Sequence, residues 1–258
     1  HVTLRTRMAF LLIKIFSPQA RWKSISKERI KHALVLLLKE KTPKQLRPTP
    51  YWLRFARLAK VGTKKENLNP PRFILKRNDE NQVLDRYGLK TKTYFALAPA
   101  SQWSSKEWSV ENYFLLAKKL KSVKAGHILL VGRKTDRACA DLAERLTQAQ
   151  IPWVSALEEN DFEVTAILLK HALYYVGGDT GLAHLTEAVQ SKSVVIYGPT
   201  RPSFGFGVRS DGSKAVYAPL ACAPCSKDGR ICLRVFEPYA CLKRIEVGDV
   251  LKQVGVNT

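Results

Sequence analysis

From residue 93 onward the chain alternates short, wholly apolar runs with longer stretches whose apolar positions recur every three to four residues. The short runs are "TYFALAPA", "HILLVG", "IPWVSAL", "LYYVGG" and "SVVIYGP". Between them lie "SVENYFLLAKKLKS", "RKTDRACADLAERLTQAQ", "DFEVTAILLKHA" and "GLAHLTEAVQ". The first kind predicts strands buried on both faces, the second amphipathic helices. Their strict alternation predicts a parallel sheet covered by helices on both sides, an α/β fold. Sheets of this kind take ligands at the carboxyl ends of their strands. Residues 213–258 read as irregular until a last helix near "VGDVLKQVG".

The first sixty residues carry another pattern. "SKERIKHALVLLLKE" has a serine start signal at Ser26, and Ile30, Leu34, Leu37 and Leu38 form one apolar face, expected to pack inward and leave the lysines outside. "PTPYWLRFARLAKVG" reads as a second helix opening near Pro50 and stopping at Gly62. Polar residues with Pro70 and Pro71 follow, so residues 63–91 are expected to be a connection or edge region.

The 258 residues, 45% of them hydrophobic, suffice for one large domain or two small ones. The net charge of +21 says more about partners than about fold: nucleic acid, an anionic membrane face or an acidic substrate. It is concentrated at one end. Residues 1–60 hold fifteen Lys or Arg against Glu28 and Glu40, a balance of +13. The opening "HVTLRTRMAFLLIKIFSP" has the outline of a signal peptide, but Lys14 interrupts its apolar run and no small-residue cleavage site follows. The run "ALVLLL" is too short to span a bilayer. Five cysteines, an odd number, fit reduced thiols in a cytoplasm. The basic block also suits a nucleic-acid binder, yet no helix-turn-helix, RNA-binding aromatic pattern or zinc-finger spacing accompanies it, so nucleic acid is not the expected partner.

The densest chemistry lies in "VGGDTGLAHL", where a strand passes into a helix. Gly177, Gly178 and Gly181 are expected to give positive φ and close approach to a ligand. The helix opening at Thr180 offers unpaired N–H groups and the positive end of its dipole, a site for a diphosphate. Asp179 then either caps the helix or binds hydroxyls of a sugar attached to that diphosphate. His184 lies one turn in, toward the same cleft, or is a surface histidine.

"GGDTGLAHLTEAVQSKSVVIYGPTRP" resembles the signature of the lipopolysaccharide heptosyltransferases, glycosyltransferase family 9. The matching positions are Asp179, Thr180, Gly181 and His184, then Gly198, Pro199 and Thr200. "FALAPASQWSSKEWSVENYFLLAKKL" is similar to a second family segment through Lys106, Trp108 and Glu111. The resemblance implies a GT-B-type fold of two Rossmann-like domains. Residues 1–90 would be a partial, acceptor-side N-terminal domain and residues 91–258 the nucleotide-sugar domain, with the last helix crossing back. It implies an inverting, metal-independent transfer of heptose or a related sugar from an ADP-sugar to the lipopolysaccharide inner core. Lys106 and Asp179 would carry the chemistry. Ser101, Gln102, Lys106, Asp136, Asp179, Thr180, Gly181, Leu182 and His184 would bind the donor, with no cofactor beyond it. The acceptor is a polyanion, so the protein would sit in the cytoplasm at the inner membrane face.

Two features stand apart. The family's G-D loop, which supplies the aspartate proposed to deprotonate the acceptor, has no counterpart in this sequence. Either the chain is a fragment of a longer protein, or it is a shortened form with altered or lost activity; donor binding with slow or absent transfer is expected, or a remnant that binds a nucleotide sugar without catalysis. Cys222, Cys225, Cys232 and Cys241 are spaced C-x2-C-x6-C-x8-C. Four thiolates suit tetrahedral zinc, though the spacing is looser than a zinc ribbon's; plain loop or buried thiols are the alternative.

Overall fold

The computed structural model describes residues 28–58, 72–122, 127–226, 228–230, 232 and 234–256. The five apolar runs form strands β1 (Tyr94–Ala98), β2 (His127–Val131), β3 (Trp153–Ala156), β4 (Tyr174–Gly178) and β5 (Ser193–Ile196). A sixth strand, β6 (Lys214–Val216), lies in the stretch expected to be irregular; it pairs with β5 through Val194–Lys214, Val195–Ala215 and Ile196–Val216. All neighbours are parallel and the order is β3-β2-β1-β4-β5-β6. The winding reverses between β1 and β4, which opens a crevice at their carboxyl ends.

Helices cover both faces because both faces of the central strands are apolar. Phe95 and Leu97 point into one core, with Tyr113, Leu116 and Leu120 of α4 (Val110–Lys121) and Leu142 and Leu146 of α5 (Arg137–Gln148). Tyr94, Ala96 and Ala98 point into the other, with Ile167 and Leu168 of α6 (Phe162–His171) and Leu185 of α7 (Gly181–Ala188). The alternation of side chains along β1 thus feeds two cores. Helix starts follow local chemistry. Ser109 caps α4 by accepting from the Asn112 N–H at 3.1 Å, and Asp161 caps α6 by accepting from the Glu163 and Val164 N–H groups.

The polar stretch before the sheet is not merely a connection. It contains α3 (Glu80–Arg86), whose Val83 and Leu84 are buried in the core beneath α6. Glu80 fastens the two helices by accepting from Lys170 Nζ at 2.7 Å and pairing with His171 Nε2 at 2.6 Å. The last two helices are α8 (Ala240–Lys243) and α9 (Val247–Gln253). The described residues of α9 pack on α4 and β6.

Among the described residues the basic segment holds α1 (Arg29–Leu38) and α2 (Tyr51–Leu58). The apolar face expected to turn inward on α1 does not: Ile30 is 79% and Leu37 75% exposed. The docked face carries His32 and Val35 instead, because His32 stacks on Phe204 of the loop after β5, 6.0 Å between ring centroids. Ser26, Gly62 and the opening apolar run lie outside the described residues. Among the described residues no helix is long and apolar enough to cross a membrane.

Candidate active site

A cleft of about 960 Å³ runs along the carboxyl ends of the strands on both sides of the reversal point. Its centre is the turn between β4 and α7, which consists of Asp179 and Thr180 alone. Thr180 is the N-cap residue, with extended backbone and no side-chain cap hydrogen bond. The first amides of α7 therefore lack a capping side chain there, and the helix presents its positive end. At Gly181 an added Cβ would meet nothing within 4 Å, so the backbone is open there.

Asp179 does not cap the helix. Its Oδ2 reaches across the reversal point, where Lys106 Nζ donates at 3.0 Å and Thr200 Oγ1 at 2.9 Å. Its Oδ1 stands 4.0 Å from His184 Nε2. The Lys106 and Asp179 side chains are only 13% and 11% exposed, so this pair is screened less than a surface one. Lys106 is presented by the helical turn Ser104–Lys106, which follows β1 and is closed by the Lys106 N–H donating to the Trp103 carbonyl at 2.8 Å. Trp108 anchors that turn from below: it is buried and its Nε1 donates to the Ile245 carbonyl.

None of the three glycines supplies positive φ, for Gly177, Gly178 and Gly181 all lie outside the left-handed region; Gly177 and Gly178 serve close packing instead. A Cβ on Gly177 would overlap the Tyr175 ring and hydroxyl, and one on Gly178 would press on the Lys106 carbonyl at 3.1 Å. Tyr175 fills the space beneath the loop, its hydroxyl 3.5 Å from Thr180 Oγ1. Burial pushes its phenol well above the ordinary range, so it stands there neutral.

All the positions that the sequence singled out for the donor line this cleft. Ser101 and Gln102 follow β1, and the Ser101 N–H is pinned by donating to Glu107 Oε1 at 2.9 Å. Asp136 follows β2 and is paired with Arg133 Nη2 at 3.0 Å, leaving its carboxylate on the cleft wall. Leu182 and His184 line the β4 side. The structure adds walls that spacing did not reveal. Tyr51 of α2 stacks on Phe206 at 4.4 Å, and His184 lies 5.9 Å from the same ring. Trp103, Asp228 and Arg230 line the mouth, while Glu159, Asn160 and Phe162 line the far end near β3.

Residues 26–234, most of the chain, match the sequence profile of glycosyltransferase family 9 (heptosyltransferase). The chain belongs to that family. Lipooligosaccharide heptosyltransferase 2 of Campylobacter jejuni is 24% identical over 178 residues, which are 67% of this chain and 53% of that protein. Among solved structures, an ADP-heptose lipopolysaccharide heptosyltransferase II of Escherichia coli superposes with a TM-score of 0.58 at 20% identity, over 77% of this chain and 56% of its own. A glycosyl transferase of family 9 from Veillonella parvula reaches 0.67 at 13% identity, over 93% of this chain and 64% of its own. These likenesses place the chain's α/β fold with the GT-B heptosyltransferases. The chain spans about half the length of the curated relatives it matches.

In this family 9 chain the four clustered cysteines line a second cavity of about 320 Å³ behind the Lys106 turn, with Ser105 and Pro199. All four are free thiols. Burial and then the neighbouring thiols raise Cys225, and push Cys241 to about 11. Among the described residues no three His, Cys, Asp or Glu side chains converge as a metal site.

Proposed function

We propose that this chain binds a nucleotide diphosphate sugar, ADP-heptose by preference, and supplies the donor side of an inverting transfer to the anionic inner core of lipopolysaccharide. One observation carries the reading: the Lys106–Asp179–Thr200 cluster sits at the sheet's reversal point, beside the uncapped start of α7. In such a transfer the acceptor oxygen bonds to the anomeric carbon while the bond to the diphosphate breaks and the diphosphate keeps the electron pair. The α7 amides and the Lys106 ammonium meet the charge that gathers on the leaving phosphate. Asp179, which shares Lys106 and Thr200, takes hydroxyls of the transferred sugar. Asp136 faces the ribose. A name supports the choice of donor, since the E. coli relative acts on ADP-heptose.

The acceptor hydroxyl must also lose a proton to a base. Asp136, Glu159 and Asp179 in the cleft already hold Arg133, Tyr87 with Arg86, and Lys106 with Thr200, and Asp228 pairs with Arg230 at 3.9 Å. The 258-residue chain is therefore expected to bind donor well and transfer slowly. Its basic first segment suits an anionic acceptor at the inner face of the membrane, where each Lys or Arg gains about 1 kcal/mol. The test is thermal unfolding with ADP, GDP and UDP. A rise with ADP that exceeds those with GDP and UDP supports the reading; no rise with any nucleotide refutes it.

A further inference from the structure

The charges in the cleft do not suffice for a diphosphate without one more group. Lys106 is already neutralised by Asp179 at 3.0 Å, and Arg133 by Asp136 at 3.0 Å. The start of α7 contributes only about half a positive charge. A diphosphate brings more than one negative charge. Arg230 lines the same cleft with a side chain 65% exposed, and its ion pair is the loosest of the three: Nε stands 3.9 Å from Oδ2 of Asp228, itself 56% exposed, so the guanidinium is the cation most readily turned to a phosphate.

Its position is built, not incidental. The guanidinium lies over the Trp103 ring, 5.2 Å from the centroid, and Trp103 belongs to the turn that presents Lys106. The neighbouring Gly229 is clamped to that turn, because the Ser105 hydroxyl donates to its carbonyl. Gly229 has φ +71°, and a Cβ there would come within 2.7 Å of Lys106 Cε. Consecutive Cα atoms are about 3.8 Å apart, so Arg230 departs from the backbone right beside the lysine side chain. A flat guanidinium held on an indole face is pre-oriented for two parallel hydrogen bonds to phosphate oxygens.

We propose that Arg230 is a second cationic ligand of the donor's terminal phosphate, held on Trp103 and aligned with Lys106 by the Gly229 clamp. The inference rests on the nucleotide reading above and adds a residue to it. The experiment is calorimetric titration of the native chain, Arg230→Ala and Arg230→Lys with ADP, AMP and adenosine at one salt concentration. The expected result is a loss of about ten-fold or more for ADP in Arg230→Ala, a smaller loss for AMP, none for adenosine, and partial recovery in Arg230→Lys. Native chain that binds no ADP overturns the nucleotide reading itself. Native chain that binds ADP, with Arg230→Ala binding it equally, overturns only the role of Arg230. Equal losses for ADP and adenosine also overturn it, since they would mark a deformed loop rather than a lost phosphate contact.

Discussion

Lys106→Ala is the sharpest probe of the cleft, because it removes an attraction and uncovers a repulsion together. The ammonium stands 3.0 Å from Asp179 Oδ2 in a setting where the lysine side chain is 13% exposed. A charge-assisted hydrogen bond to phosphate is worth about 1.5–3 kcal/mol, or about 10- to 150-fold in affinity. Without Lys106, the Asp179 carboxylate retains the Thr200 hydroxyl at 2.9 Å but no ammonium. Two unit charges roughly 6 Å apart, at an effective dielectric of about 20, repel by about 3 kcal/mol. The loss should therefore reach the upper end of that range or pass it, about 100-fold or more for ADP by calorimetry. Lys106→Ala with Asp179→Ala should regain part of that loss, since the repelling carboxylate has gone too. Thermal unfolding of each variant checks that the fold survives. ADP binding unchanged in Lys106→Ala, or a double variant that binds ADP no better than Lys106→Ala, would refute the argument.

Asp179→Ala frees Lys106, so ADP should bind at least as well while the ADP-sugar loses about ten-fold; equal losses in a competition assay contradict a sugar-hydroxyl role. Gly177→Ala drives a methyl into Tyr175 and should destabilise the chain by about 1–3 kcal/mol, seen as a lower melting temperature. Burial alone would raise the Glu80 carboxyl, but hydrogen bonds from Lys170 and His171 outweigh it and hold it below 4.5. A lowered folded value means that its stabilisation is present above the unfolded value and disappears as pH falls through the folded one. Glu80→Gln should thus be less stable than the native chain at pH 7 by at most about 1 kcal/mol, given the partly exposed pair. The gap should close in urea melts as pH falls through and below the ordinary carboxylate range, and a gap that persists in strong acid argues against the linkage.

The sheet was legible because each central strand is apolar on both faces, a pattern that survives without tertiary information. β6 was not, because three residues, Lys-Ala-Val, carry no period. α3 was hidden in a polar stretch, since only Val83 and Leu84 of its seven residues are buried. For α1 the apolar period was read correctly as a helix and wrongly as to its buried side, because stacking on Phe204 outweighed the leucine count. The donor positions could be listed from spacing, whereas their wiring could not. Nothing local ties Thr200 to Asp179, 21 residues away, or Gly229 to Lys106. Tyr51 and Phe206 come together only when α2 meets the loop after β5.

Tyr175 beneath Gly177 has a consequence for how such a cleft can change over time. Its floor is made of main chain pressed on a ring, so neither position can vary without disturbing the other. The rim is assembled from pieces that are far apart in sequence: Tyr51, Trp103, Phe206 and Arg230. A lineage that acquires a new sugar or acceptor can thus trade rim residues one at a time while the foundation stays put.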